Sequence, residues 1–256
     1  MCGGMKKHSA LSSKQPLERV FSSLMAKWHS INKLFDDFLQ LSVAAVMWDE
    51  ETYQKVSKQY VKEGEMWLRQ LAFADLVSLM DDSAQEHDHK VSDDILWEFY
   101  MEFVSHGEHG QYFTPQHVCD MMVQLTRMWE DKWQYNPLNR MTANDPACGS
   151  GRFGLAMAKY AGKRNCTIML QDLDRRCCLM AVLNLILNGI DWDVYMCNTL
   201  SMEIYEWWRI RIWWGMLPKV EKINISQVEK PVITKQDEEV KKQVEVKAQQ
   251  SLFDLQ

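Results

Sequence analysis

The sequence predicts an α/β fold with a helical N-terminal region, and three features of the 256-residue chain lead there. Cys166–Leu170 is a compact apolar run of strand length, and Asp193–Cys197 is a second. Helical patterns alternate with them, one running to about Ala161 and one over Asp174–Leu187. A glycine-rich turn, NDPACGSGRFG from Asn144 to Gly154, follows a short extended piece at Arg140–Asn144. Strand, helix, strand, helix in succession implies a parallel sheet with crossover helices.

The elements follow in order. Leu17, Val20, Phe21, Leu24, Met25 and Trp28 share one helical face. INKLFDDFLQLSVAAVMW continues in helical manner, and Met66–Leu79 carries another apolar stripe. Asp81–Lys90 is polar and reads as a solvated loop. Its His87 and His89 lack a nearby third ligand, so no metal site is expected. Ser92 reads as an N-cap, with Asp93 and Asp94 in the first turn favouring the helix dipole and Gly107 as a stop. Thr114-Pro115 reads as N-cap and N1 proline of a helix through Val118, Met122 and Leu125. Asn188-Gly189 ends the helix that starts at Asp174. From Lys219 to Gln256 lysines and acids balance and no aromatic occurs before Phe253, so this stretch reads as a flexible tail. The expected division is a helical domain over 1–105, an α/β domain over 106–218 and a tail over 219–256.

Composition narrows the class. With 46% hydrophobic and 25% charged residues, and no uninterrupted apolar run of membrane-spanning length, the chain reads as soluble and globular, with no membrane partner. The N-terminal MCGGMKKHSALSSKQ lacks the apolar block of a secretory signal. Seven cysteines, an odd number without paired metal-ligand spacing, fit reduced thiols in a cytoplasmic protein. The net charge of −6 argues against an unaided grip on nucleic acid; a local patch or a partner would have to supply it.

Gly149, Gly151 and Gly154 satisfy the spacing of a nucleotide-binding turn. Two acids decide what the turn binds. Asp145 stands between strand and turn, where it would repel a pyrophosphate and suit an ammonium and a sulfonium. Asp172 ends the next strand about twenty residues beyond the turn, where a carboxylate accepts from ribose hydroxyls. An adenosine with a cationic centre and no phosphate meets both conditions, and S-adenosylmethionine is such a ligand. A nicotinamide oxidoreductase conflicts with Asp145. A tight turn with no ligand is the bland alternative.

GQYFTP (Gly110–Pro115), DPACGSG (Asp145–Gly151), QDLD (Gln171–Asp174) and LNLILNGI (Leu183–Ile190) together resemble the N6-adenine DNA methyltransferases. The likeness is strongest to the modification subunits of type I restriction systems and their relatives in phages and mobile elements, and it covers about Leu17 to Glu203. It implies a Rossmann-like methyltransferase fold that uses S-adenosylmethionine, acts on DNA and works with a separate specificity subunit. It places Gln111, Tyr112, Phe113 and Thr114 at the methionine end of the cofactor and Asp145 at its ammonium. Gly149, Ser150 and Gly151 fall at the adenosine and Asp172 at the ribose. In the family a further acid, in a G-D-T-L-like stretch, contacts the adenine amino group; here the stretch is Cys197-Asn198-Thr199-Leu200, and Asn198 can accept there without charge.

One element of the family pattern is missing. Asn or Asp followed by Pro-Pro and Tyr or Phe holds the extruded adenine, its amine donating to the side chain and a backbone carbonyl while the aromatic ring stacks. SMEIYEWWRIRIWWGMLPKVEK (201–222) contains no such tetrapeptide, and Asn136-Pro137-Leu138 is the nearest approach in the chain. No catalytic residue is therefore assigned. Arg209–Ile212 alternates and can form a strand. Trp207, Trp208, Trp213 and Trp214 with Arg209 and Arg211 could stack on bases, but packing on the sheet is expected instead. Near the C-terminus, Gln249, Leu252 and Phe253 resemble the peptide by which bacterial polymerases dock on the sliding clamp, with Gln250 where an aliphatic residue is usual. Two functions remain open. One is an adenine-specific DNA methyltransferase, or a subunit of one. The other is a methyltransferase-like adaptor or decoy that binds cofactor without transferring methyl groups.

Overall fold

The computed structural model describes residues 15–25, 30–60, 65–86, 91–105, 114–127, 141–163, 166–211 and 219–227. The helical region comprises α1 (Gln15–Met25), α2 (Ile31–Met47), α3 (Glu50–Ser57), a 3₁₀ turn at Lys58–Tyr60, α4 (Glu65–Glu86) and α5 (Ile95–Phe99), which runs on as a π-helical turn over Tyr100–Ser105. The apolar spacing of α1 buries Leu17, Val20, Phe21 and Leu24, as its period requires. Phe21 packs edge-on to Phe38 at 5.5 Å and tilts against Phe99 at 4.9 Å, while Phe35 stacks on Tyr100 at 5.5 Å. This aromatic cluster fastens α1, α2 and α5 together.

Two boundaries differ from expectation. Residues Asp81–Glu86 belong to α4 rather than to a loop. Ser83 is buried, and Gln85 donates to Asp81 one turn back at 2.9 Å, so the polar stretch has helical reasons to continue. His87 and His89 lie outside the described residues. The N-cap of α5 is Asp94, not Ser92: Asp94 accepts from the Trp97 amide at 3.1 Å. Ser92 is buried instead, its N–H donating to Asn188 Oδ1 at 2.8 Å.

Helix α6 (Gln116–Arg127) precedes the sheet, which consists of β1 (Met141–Asp145), β2 (Cys166–Asp172), β3 (Asp193–Asn198), β4 (Glu203–Arg211) and β5 (Lys219–Lys222) in that spatial order. Strands β1, β2 and β3 are parallel, joined by α7 (Arg152–Ala161) and α8 (Arg175–Leu187). The parallel sheet expected from alternation is therefore present. It is extended by two antiparallel strands, because the turn between β3 and β4 is too short for a crossover. Lys219–Lys222, assigned to the tail on composition, joins the sheet because Val220 points inward beside Ile210.

Both crossovers step the same way along the sheet, so right-handed connections put α7 and α8 on one face. Ile168 and Leu170 are buried beneath them, while Met169 between these residues is 42% exposed on the other face. Trp207 and Arg209 lie on that other face: Trp207 stacks on Tyr195 at 5.0 Å, and the Arg209 guanidinium sits 4.5 Å over the indole. Trp208 points to the core and is 2% exposed. Packing on the sheet, rather than a free stacking surface, is what these two tryptophans do; Trp213 and Trp214 lie outside the described residues.

Residues Met1–Ile223 cluster as one compact unit and Asn224–Gln256 as a second. The boundary expected at residue 105 falls inside the first unit. In the second, the described part is a 3₁₀ turn at Ile225–Gln227. Among the described residues no helix is long and apolar enough to cross a membrane.

Helix α7 can lie on β2 only because residue 154 has no side chain. A Cβ there would meet Trp192 at 3.0 Å and Leu170 at 3.3 Å, both fully buried. Gly154→Ala is therefore expected to destabilise the chain by about 1–3 kcal/mol in urea denaturation. The gain of up to about 1 kcal/mol that alanine brings to a helix interior offsets only the lower end of that cost.

Candidate functional site

The glycine turn is built by its backbone conformation. Gly149 and Gly151 have φ of 54° and 85°, in the left-handed region that glycine occupies without strain. The Cys148 amide donates to the Gln171 carbonyl at 2.8 Å, drawing the turn onto the end of β2. At Gly151 a Cβ would lie 3.2 Å from that of Ala181, so the same glycine also admits α8.

Asp145 and Asp172 border a single hollow of about 440 Å³ at the carboxyl ends of β1 and β2, with Thr114, Gly149, Arg152 and Phe153 among its other walls. This is where open α/β sheets hold their ligands. Asp172 is fixed twice: Oδ2 accepts from the Gly149 amide at 2.8 Å and Oδ1 from the Asp174 amide at 2.9 Å. Each oxygen keeps a second lone pair for a further donor. Asp145 Oδ1 accepts from the Ala147 amide at 3.3 Å, an Asx turn that holds the strand end. Burial raises the carboxyl pKa of both acids above the ordinary range, and the charge of Asp172 adds to the rise at Asp145. A cation entering the hollow would relieve both costs.

Of the residues singled out in the sequence, Thr114, Asp145, Gly149 and Asp172 come together around this hollow. Gly151 lies beneath it against α8. Ser150 is turned inward and fully buried, its hydroxyl donating to Asp94, so it acts below the turn and not as a wall of the hollow. Asn198 accepts from the Leu200 and Ser201 amides at 3.0 and 3.2 Å and caps the turn after β3. It is not among the walls of the hollow. Gln111, Tyr112 and Phe113 lie outside the described residues, as do Gln249, Leu252 and Phe253.

Sequence reasoning missed the support under the turn. Asp94 is 1% exposed and accepts from Ser150 Oγ, from Asn184 Nδ2 at 2.9 Å and from the Trp97 amide. The Arg152 Nε lies 3.5 Å from Asp94 Oδ2, and its guanidinium is 3.6 Å over the Trp97 ring. One guanidinium nitrogen donates to the Thr114 carbonyl at 3.2 Å, so the same arginine fixes the start of the α6 segment at the rim. Burial pushes the Asp94 carboxyl up, opposed by Arg152, Ser150, Asn184 and Trp97. Nothing in the local sequence separates this aspartate from any other helix cap. The six described cysteines are free and buried. Burial raises the Cys148 and Cys177 thiols at the hollow, which keeps them protonated. No group of His, Cys, Asp and Glu among the described residues could hold a metal ion.

The arrangement defines an α/β domain of Rossmann-like build with an acidic, glycine-floored hollow at its strand ends. A family model for N-6 DNA methylase matches residues 90–222, and the chain belongs to the N6-adenine DNA methyltransferase family. It is similar to the crystal structure of the methyltransferase subunit of the type I restriction-modification system from Streptococcus thermophilus, at 14% identity and a TM-score of 0.42. That likeness covers 76% of this chain and 60% of the subunit, so the chain spans less than two thirds of its length. No curated protein matches the chain.

Removing the carboxyl of Asp94 would strand a buried guanidinium and two buried donors. Asp94→Ala is expected to lower stability by about 3–5 kcal/mol in chemical denaturation, as for a buried pair deprived of one partner. A loss below about 1 kcal/mol would show that the junction is not what holds the turn.

Proposed function

We propose that this chain binds S-adenosylmethionine in the hollow of Asp145 and Asp172 and serves in adenine-N6 modification of DNA. One observation carries the reading: two half-buried carboxylates border one hollow, above a glycine turn that lets a ligand approach the backbone. The volume suits a nucleoside-sized ligand. Arg152 is already committed to Asp94, Trp97 and Thr114, so the uncompensated charge at the wall is negative. Asp145 would face the ammonium group and Asp172 would accept from the ribose hydroxyls through its remaining lone pairs. Thr114, and outside the described residues Tyr112 and Phe113, would border the methionine end. When bound, the cofactor supplies an electrophilic methyl group; the chain's own residues orient it and exclude water.

A second reading is favoured by the missing tetrapeptide. With no Asn/Asp-Pro-Pro-Tyr/Phe in the chain, methyl transfer would need base-holding groups from another polypeptide, with DNA reached through it or through a specificity subunit. Alone, the chain would then act as a cofactor-binding adaptor. Labelled cofactor with adenine-containing DNA separates the two: transfer abolished by Asp145→Asn marks an enzyme, binding without transfer an adaptor.

Calorimetry of the full chain tests cofactor binding directly. Asp145→Asn keeps the Asx turn and removes the charge, so it should weaken binding roughly tenfold to a hundredfold, the loss of about 1.5–3 kcal/mol from a charge-assisted contact. Affinity should also fall on acidification. The ligand's cation selects ionised carboxylates, and both groups protonate above the ordinary aspartate range near about 3.9, so the decline begins before that pH is reached. Unchanged affinity in the variant, or no heat of binding in the wild type, refutes the assignment.

The C-terminal peptide of Gln249, Leu252 and Phe253 we assign to the sliding clamp. Fluorescence anisotropy of a labelled 245–256 peptide titrated with a bacterial clamp should rise to saturation. A rise that survives Phe253→Ala would exclude the assignment.

A further inference from the structure

Arg152 stands on the wall of the acidic hollow, yet its charge is spent elsewhere. It opens α7 and borders the hollow together with Asp145 and Asp172, and its side chain is 6% exposed. Its charge is felt at Asp94 and Cys119, where it opposes the upward effect of burial. At Asp145 the neighbouring charge that counts is Asp172, of like sign. What turns the guanidinium away is not a well-formed salt bridge. Asp94 Oδ2 already accepts from Ser150, and Oδ1 from Asn184 and the Trp97 amide. The buried Arg152 Nε reaches Asp94 at 3.5 Å without a hydrogen bond. Two contacts orient the group: one nitrogen donates to the Thr114 carbonyl at 3.2 Å, and the Trp97 ring lies 3.6 Å from the guanidinium carbon. A desolvated guanidinium is attracted to an indole face. Thr114 itself borders the hollow. Without the ring, the guanidinium would keep one hydrogen bond at the edge of the hollow and face two carboxylates with open lone pairs.

We propose that Trp97 sets the charge of ligand the hollow accepts: it is a positioning residue that acts through Arg152, holding the guanidinium against Asp94 so that Asp145 and Asp172 are left to a cation. Trp97 belongs to α5 and is not among the walls of the hollow, so it can be replaced without removing a surface that a ligand would meet. With the guanidinium held, the two wall carboxylates stand uncompensated. With it released, one of them acquires a resident counter-ion, and a cationic ligand has to displace it or bind beside it. That the cation is S-adenosylmethionine rests on the reading above; the role of Trp97 toward the two carboxylates does not.

Carbon-13 NMR titration of the aspartate carboxyl groups in the full chain, with no ligand present, reads the position of the guanidinium. In Trp97→Leu, Arg152 should turn to Asp145 or Asp172 and bring the pKa of at least one down toward or below the ordinary aspartate range, because a cation beside a carboxylate favours its charged form. Trp97→Phe keeps a ring under the guanidinium and should titrate as the wild type does. A folded Trp97→Leu in which both carboxyl groups titrate unchanged overturns the proposal. Arg152→Gln gives a second measurement: removing a guanidinium held elsewhere should leave both titrations in place, and a rise at either acid overturns the proposal. Calorimetry with S-adenosylmethionine and S-adenosylhomocysteine, which differ by one methyl group and one positive charge, reads the consequence for binding. Trp97→Leu should reduce the preference for the charged ligand about tenfold, and Trp97→Phe should restore it. Wild-type binding with an unchanged preference in Trp97→Leu overturns the role of Trp97 alone. A wild type that binds neither ligand refutes the cofactor assignment, and the carboxyl titrations then decide the role of Trp97 by themselves.

Discussion

Asp94 is held where three distant parts of the chain meet. Its carboxylate belongs by sequence to the start of α5, yet its donors come from the glycine turn, from the middle of α8 and from its own helix. A carboxylate this deeply buried is tolerable only when its lone pairs are filled and a cation stands near. Ser150, Asn184, the Trp97 amide and Arg152 meet that demand together. The demand runs in both directions: the turn is positioned because Ser150 and Arg152 must reach Asp94, and the helical region is seated because Asp94 must reach them. Asn184 reinforces the joint by donating also to the Ser150 carbonyl at 2.9 Å.

From that joint the acidity of the hollow follows. Arg152 begins α7 at the wall, and a free guanidinium there would neutralise Asp145 or Asp172. It is instead stacked on Trp97 and bound to the Thr114 carbonyl, turned toward Asp94. Asp172 meanwhile accepts from Gly149 and Asp174, which stiffens the floor without adding a positive charge. The result is two carboxyl groups with raised pKa, one hollow, and a backbone bend with room for a ligand. Phosphate would be repelled there and a cation drawn in.

The sequence made the strands and the turn legible because their signals are local. Apolar runs at Cys166–Leu170 and Asp193–Cys197 fall within β2 and β3, and Asn188-Gly189 ends α8 as read. The convergence of Asp145 and Asp172 was legible too, since both stand at fixed offsets from a turn whose geometry the glycines dictate. The role of Asp94 was not, because its decisive partner lies 56 residues away and the local pattern shows only an acid in the first turn behind Ser92. Ser150 was misplaced for the same reason: a serine between two glycines resembles a ligand contact until the buried acid beneath it is known. The continuation of α4 through Asp81–Glu86 was hidden by polarity, which marks solvent as readily as it marks a loop.

The strand after the third parallel one decides how far the chain can act alone. In β4 the residues that might have gripped a base are spent on the sheet. Trp208 is buried among core residues, Trp207 is covered by Tyr195 and Arg209, and Arg211 reaches Asp193 at 3.3 Å. A stacking platform needs an aromatic face open to the incoming base, and Trp207 is already packed against Tyr195 and the Arg209 guanidinium. The antiparallel turn at this point also removes the next parallel strand end, the place where a further side chain could have been brought to the hollow. What the described residues offer at the strand ends is thus an acidic hollow over a glycine turn, with the aromatic and basic groups of β4 already engaged on the sheet.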